Sequence, residues 1–282
     1  MTLQRPVHPS FCIIAPTAYL SSYAVLSDTH LALAHLVDTD SKYASWYKNV
    51  SEHGDFIIMD NGAFELGESY EPAKLIELGR KCGAKAIVLP DYPGQSSQLT
   101  IDAAIKWAPM IQNAGFYTMF VPQSNIGNTT DWINAYNWAA GNELVDMIGM
   151  SILGIPNALP HVPKSYARVV MTELLRSKGM FASHKYHHYL GLNAAPNVEL
   201  PSLLITGSLD SCDSSNPVWF GINGFRYDIT NTDYAGIQKK YMREVDFNEP
   251  KIPHYKKPHI HEAIEYNIRT TLDIFENPKK HL

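Results

Sequence analysis

The sequence predicts an α/β fold, a TIM-type (β/α)8 barrel built as a single domain. Three observations point there: short apolar runs recur along the chain, amphipathic segments stand between several of them, and acidic or amide residues follow many of the runs. At 282 residues the chain has a length at which one α/β barrel commonly forms one unit. No GxGxxG follows the first apolar run, so the alternative of an open doubly wound sheet carries no dinucleotide site.

The strand candidates, in order, are 11–15, 56–59, 86–89, 117–121, 147–152, 187–192 and 203–206. Continuous apolar stretches of roughly four to eight residues suit strands buried on both faces. An eighth, at 219–222 or 225–229, would close the barrel. Helical patterns lie between. Pro72 stands where a first-turn proline belongs, with Gly83 as the stop of 73–82. Segments 100–114, 129–140 and 163–178 end in Gly115, Gly141 and Gly179. Strand–helix alternation with short links indicates parallel βαβ units. The barrel is expected over 1–245. An extended linker follows from Asp246 to Pro258, and a last helix, about 259–275, packs on the barrel.

Composition narrows the class. Apolar residues are 45% and charged residues 18%, which suits a globular core. No apolar run approaches the roughly 18 residues that span a bilayer. The stretch Arg5-Pro6-Val7-His8-Pro9 replaces the apolar core of a signal peptide, so the cytoplasm is the expected compartment and a membrane is not an expected partner. Cys12, Cys82 and Cys212 give neither a disulfide framework nor a CxxC pair for zinc. The net charge of −5 is unfavourable for binding nucleic acid. Lys239, Lys240, Arg243, Lys251, Lys256 and Lys257 form a locally basic end that can touch phosphates or stay solvated.

In a parallel barrel the active site lies at the C-terminal ends of the strands. Asp60-Asn61-Gly62-Ala63-Phe64 follows the second run, Pro90-Asp91 the third and Pro122-Gln123-Ser124 the fourth. Leu209-Asp210-Ser211-Cys212-Asp213 follows the seventh. Each Asp taken alone reads equally as a turn former or helix cap. Several carboxyls converging on one pocket suit glycosyl transfer, in which one attacks an anomeric carbon and another moves a proton. The histidine clusters at 184–188 and 254–261 have no Cys or spaced carboxylate to complete a metal site, so surface or packing roles are expected, with His188 placed near a substrate phosphate.

The segment Met59-Asp60-Asn61-Gly62-Ala63-Phe64-Glu65 and the segment Ser211-Cys212-Asp213-Ser214-Ser215-Asn216-Pro217 resemble two motifs of the tRNA-guanine transglycosylases. The similarity is closer to the phage and bacterial relatives that insert 7-deazaguanines into DNA. It runs from about residue 57 to 221. It implies exchange of guanine in double-stranded DNA, with the target base flipped out, for a free base such as 7-cyano-7-deazaguanine. It implies Asp213 as nucleophile and Asp60 as general acid/base. Asp91 and Gln123 would read the purine edge, Phe64 and Leu190 would cover its two faces, and the backbone of Gly149, Met150 and Ser151 would meet the 7-substituent. Asp210 aligns with a second acid. The zinc-binding subdomain of the tRNA enzymes has no counterpart here, so neither a metal nor another cofactor is expected. The same chemistry on tRNA, a non-catalytic binder of 7-deazaguanines or of nucleic acid, and an unrelated barrel hydrolase are the rival readings.

Overall fold

Eight short strands, all parallel, make one sheet: β1 (Ser10–Ile13), β2 (Thr29–Ala32), β3 (Phe56–Met59), β4 (Ala86–Val88), β5 (Tyr117–Phe120), β6 (Met147–Gly149), β7 (Tyr186–Tyr189) and β8 (Ser211–Ser214). The computed structural model describes residues 3–193, 196–228 and 238–282. The ladder order is β1-β8-β7-β6-β5-β4-β3-β2, so first and last strands pair, Cys12 beside Asp213. β1 and β2 lie side by side, but among the described residues no ladder joins them. The result is a TIM-type barrel, closed except for that seam, as the sequence predicts.

Helices cover the outside, and several begin at a side-chain cap or a proline. Asp40 caps Ser41–Glu52 by accepting from the N–H of Lys42 and Tyr43, and Asn128 caps Thr129–Gly141 through Asp131 N–H. Pro72 opens Pro72–Cys82, which ends at Gly83 with φ of 74°, a conformation that favours glycine. The expected helices at 100–114, 163–178 and 259–275 are Ser97–Asn113, Lys164–Ser177 and Pro258–Glu276.

Three strand expectations are corrected. The run 203–206 ends the helix Pro196–Ile205, and 219–222 lies in the helix Asn216–Ile222, opened by Pro217. Residues 225–228 form no strand, and Ile229 falls outside the described residues. The strands that take their places, β2 and β8, are rich in polar residues, and those residues are buried against partners. His30 on β2 is bound to Asp55 at 2.9 Å beneath the rings of Trp46 and Tyr47.

Segment 246–257 holds no helix or strand, and it is tied to the N-terminal part of the chain. Ile252 N–H donates to the Tyr19 hydroxyl, and His261 bonds both Ile252 O and the Tyr23 hydroxyl. The final helix Pro258–Glu276 then crosses Asn216–Ile222 at Gly221. A Cβ on Gly221 would stand 2.5 Å from Ile264 N and 2.6 Å from Ile264 Cα. Both atoms are backbone, so nothing can rotate aside.

One charged pair is wholly buried. Arg168 on Lys164–Ser177 meets Glu199 on Pro196–Ile205 through two nitrogen–oxygen contacts of 2.9 and 2.5 Å. The same guanidinium donates to Met150 O and Leu190 O, the carbonyls just past β6 and β7. Glu199 also accepts from Asn193 N–H and its side-chain amide.

Two outcomes are expected. Gly221→Ala forces the final helix off its partner, and the loss is read as a drop in melting temperature and faster amide exchange over 258–276. Arg168→Met leaves Glu199 buried and unpaired and costs about 3–5 kcal/mol in denaturant unfolding. Replacing Glu199 by Leu in the same chain recovers much of that loss.

Candidate active site

The C-terminal ends of β3 and β8 bring three carboxyls to one mouth: Asp60 just past β3, Glu65 in the turn of helix Ala63–Leu66, and Asp213 on β8. Asp60 Oδ1 accepts from Ala34 N–H at 2.5 Å, and Glu65 lies close enough for its charge to act on Asp60. Two carboxyls so placed resist ionising together. Burial, then repulsion from Glu65, holds the Asp60 acid well above the usual carboxylate range. Glu65 is raised too, by burial first and then by the charge of Asp213. His35 approaches Glu65 at 3.8 Å, and burial lowers its basicity, so it does not supply a firm counter-charge.

Asp213 is 5% exposed and held on one oxygen. Oδ1 accepts from Gly191 N–H at 2.8 Å and faces His188 Nε2 at 3.1 Å. Among the described residues Oδ2 accepts no hydrogen bond. Thus His188 turns inward onto the carboxylate and away from a position on a substrate phosphate. The neighbouring His187 faces out to the Tyr136 hydroxyl, and burial pulls it down to about 3, so it is neutral and structural.

The other expected site residues are placed differently from the sequence reading. Asp91 is buried with Oδ1 taken by Asn61 Nδ2 at 2.7 Å and Oδ2 by Gln123 Nε2 at 2.6 Å. Burial raises its acid above the usual range, and those two amides counter the rise. Asp91 and Gln123 are therefore engaged with each other, and among the described residues the buried Gln123 carbonyl oxygen has no donor. Phe64 is 73% exposed and forms no wall of a closed slot. Leu190 lies across Gly149, where an added Cβ would meet Leu190 Cδ1 at 2.9 Å and Val121 Cγ2 at 2.8 Å. Met150 is wholly buried, its N–H given to His188 O. Ser151 Oγ accepts from Leu153 and Gly154 N–H and starts the short helix Gly154–Ala158.

Asp210 is at the wrong end of the barrel for substrate. It precedes β8, accepts from Arg5 Nε at 2.7 Å and His187 N–H at 2.7 Å, and so anchors the N-terminal segment under the strands. A cleft of about 310 Å³ beside Lys48, Arg80 and Lys85 adjoins the start of β4, away from the three carboxyls. Arg243, one of the expected phosphate contacts, is engaged by Glu249 at 2.6 Å. Among the described residues, no group of three His, Cys, Asp or Glu side chains is arranged to hold a metal ion. No helix among them is long and apolar enough to cross a membrane. Sequence reasoning missed Glu65, His35 and the role of His188. Glu65 was visible as the acid five residues after Asp60, one helical turn past Gly62.

No family model matches the chain, and no curated protein matches it. Solved structures do. PhdJ bound to a substrate intermediate aligns with TM-score 0.51 at 11% identity, over 96% of this chain and 99% of that one. An HpcH/HpaI aldolase/citrate lyase family protein from Burkholderia cenocepacia J2315 aligns with TM-score 0.49 at 12% identity, over 74% of this chain and 89% of that one. An N-acetylneuraminate lyase from Fusobacterium nucleatum aligns with TM-score 0.44 at 12% identity, over 94% of this chain and 81% of that one. At such identities the likeness is one of fold. The second and third bear aldolase and lyase titles, and none of the three bears a transglycosylase title. The expectation of guanine exchange in DNA or tRNA is overturned, because the base slot it required is not assembled: Phe64 is exposed, Asp91 and Gln123 are engaged with each other, and Asp210 lies elsewhere.

The raised acids set a pH dependence of stability. A carboxyl raised on folding contributes stability that is whole below the unfolded value, about 4, and is lost as pH climbs through the folded value. Asp60→Asn removes that loss while keeping an acceptor for Ala34 N–H. Its melting temperature should match the wild type near pH 4 and exceed it by a growing margin toward pH 8. A constant difference across that range would count against the raised acid of Asp60.

Proposed function

We propose that the barrel mouth is the active site of an acid–base enzyme of lyase type, acting on a small neutral or cationic substrate rich in N–H donors. The observation that carries this reading is the division of labour among the three carboxyls. Asp213 offers an oxygen with no partner among the described residues, while burial and neighbouring carboxylates raise the acids of Asp60 and Glu65, so that the pair retains a proton. Oδ2 of Asp213 takes a proton from the substrate. The Asp60/Glu65 pair gives its proton to the leaving atom or to a carbonyl oxygen where negative charge gathers. A base and an acid on separate strands permit both transfers on one bound molecule, and the bond between the two sites breaks or forms. The proton balance closes when Asp213 returns its proton to solvent and the pair regains one.

The substrate class follows from charge. The strongest charges acting on Asp60 and Glu65 are other carboxylates. An anionic group placed among them would be repelled, and a donor-rich one attracted. None of the eight strands contains a lysine. An imine formed on a strand lysine is therefore not available, and the reading rests on the carboxyls.

The test is deuterium uptake. The purified protein is incubated in heavy water with a panel of amine-bearing and neutral carbonyl compounds and sugars, beside their carboxylate-bearing counterparts, and exchange at carbon is followed by NMR and mass spectrometry. Exchange should favour the amine-bearing members and fall by about 100-fold or more in Asp213→Asn. Undiminished exchange in that variant, or preference for the anionic members, would overturn the proposal.

A further inference from the structure

Below Asp213 the barrel interior holds a line of polar side chains on alternate positions of two neighbouring strands. Tyr186 and His188 are two residues apart on β7, and Ser211 and Asp213 are two apart on β8, so each pair points to one face. His188 pairs in register with Ser211. The Ser211 hydroxyl lies 2.6 Å from His188 Nδ1, and Tyr186 stands two residues before His188 on the same face. His188 and Ser211 are wholly buried, Tyr186 is 5% exposed, and the Tyr186 ring stacks on Phe56 across the barrel. Sheet cores of this kind are usually filled by branched apolar residues, so a four-member polar line calls for a role.

The direction of the hydrogens follows from the chemistry of the end groups. An ionised carboxylate only accepts, so His188 Nε2 must carry the hydrogen of the contact with Asp213. In a neutral ring Nδ1 then accepts, and the donor it faces is Ser211 Oγ–H. Both donors point toward Asp213.

We propose that His188 is a positioning residue, fixed as its Nε2–H tautomer by the Ser211 hydroxyl. It clamps Oδ1 of Asp213 together with Gly191 N–H, so that Oδ2 alone is presented to the mouth. This rests on the proposed role of Asp213 as the base. A His188 protonated on Nδ1 would set two acceptors against each other, release Oδ1, and let the carboxylate turn. Tautomer choice by the second ring nitrogen is the general way such rings are oriented.

The experiment reads the tautomer directly and needs no substrate. The full chain is labelled with 15N-histidine, and long-range proton–nitrogen correlation spectra are recorded at pH 7. His188→Gln assigns the ring by the signal it removes; Ser211→Thr, which keeps the hydroxyl, assigns it by a small displacement should the first variant fail to fold. The expected result is a His188 ring protonated at Nε2 and bare at Nδ1. In Ser211→Ala the ring should shift toward a mixture of tautomers while the other histidine signals stay in place, and Ser211→Thr should keep the wild-type form. A ring protonated at Nδ1 alone, a doubly protonated ring, or a tautomer unmoved by Ser211→Ala overturns the proposal. Because the spectra report no turnover, failure here is distinguishable from failure of the deuterium test. If both hold, exchange in Ser211→Ala should lose kcat with KM little changed, and Ser211→Thr should restore it.

Discussion

The guanidinium of Arg168 is the constraint on which the mouth depends. Backbone carbonyls that end a strand need donors, and beneath a covering helix no water supplies them. Arg168 meets Met150 O and Leu190 O at once, and Glu199 neutralises the charge it brings. The turn fixed in this way, Leu190–Gly191, delivers the N–H that grips Asp213. A buried ion pair of this kind adds little net stability over an apolar pair of the same shape. Its value here is geometric: one planar fork sets the relative height of two strand ends, which no pair of apolar side chains could specify.

The mouth that results is acidic on both sides. Asp60 and Glu65 stand past β3 and Asp213 on β8, and burial lowers the basicity of His35 beside Glu65. Like charges brought together in a poorly solvated place cannot all ionise, so one proton is retained where a free carboxyl would have lost it. In the proposed reaction that retained proton is the acid. The lower half of the barrel shows the opposite treatment of charge. Asp210 is met by Arg5 and by the N–H of His187, so its carboxylate is tied to the floor.

Much of the fold was legible in the sequence, for identifiable reasons. Strands such as Phe56–Met59 and Tyr117–Phe120 are apolar because both faces are covered, and the intervening helices carry proline starts and glycine stops. β2 and β8 were not legible. Thr-His-Leu-Ala and Ser-Cys-Asp-Ser have no apolar period, because their polar side chains are satisfied by partners more than twenty residues away, Asp55 for His30 and His188 for Asp213. The same long-range pairing explains the site. Asp60 and Asp213 were found because acids at strand ends are visible one at a time. The engagement of Asp91 with Gln123 and Asn61, the nearness of Glu65 to Asp60, and the separation of Asp210 from Asp213 by the height of one strand are facts of assembly. Motif likeness placed Asp60, Asp91, Gln123, Asp210 and Asp213 in one pocket; the barrel ties Asp91 to Gln123 and sets Asp210 at the opposite end of β8.

The seam between β1 and β2 has a consequence for how the chain comes to be made. The ladder partner of β1 is β8, about two hundred residues downstream, and β2 offers it none among the described residues. Of these eight strands the first synthesised is thus the last to find its mate. Until Ser211–Ser214 leaves the ribosome, Phe11, Cys12 and Ile13 form an uncommitted strand with apolar side chains and open backbone groups. Contacts of such sequence separation make for slow closure. A chain that has not yet brought β8 to β1 keeps an open ladder edge, the kind of edge that invites pairing with another chain.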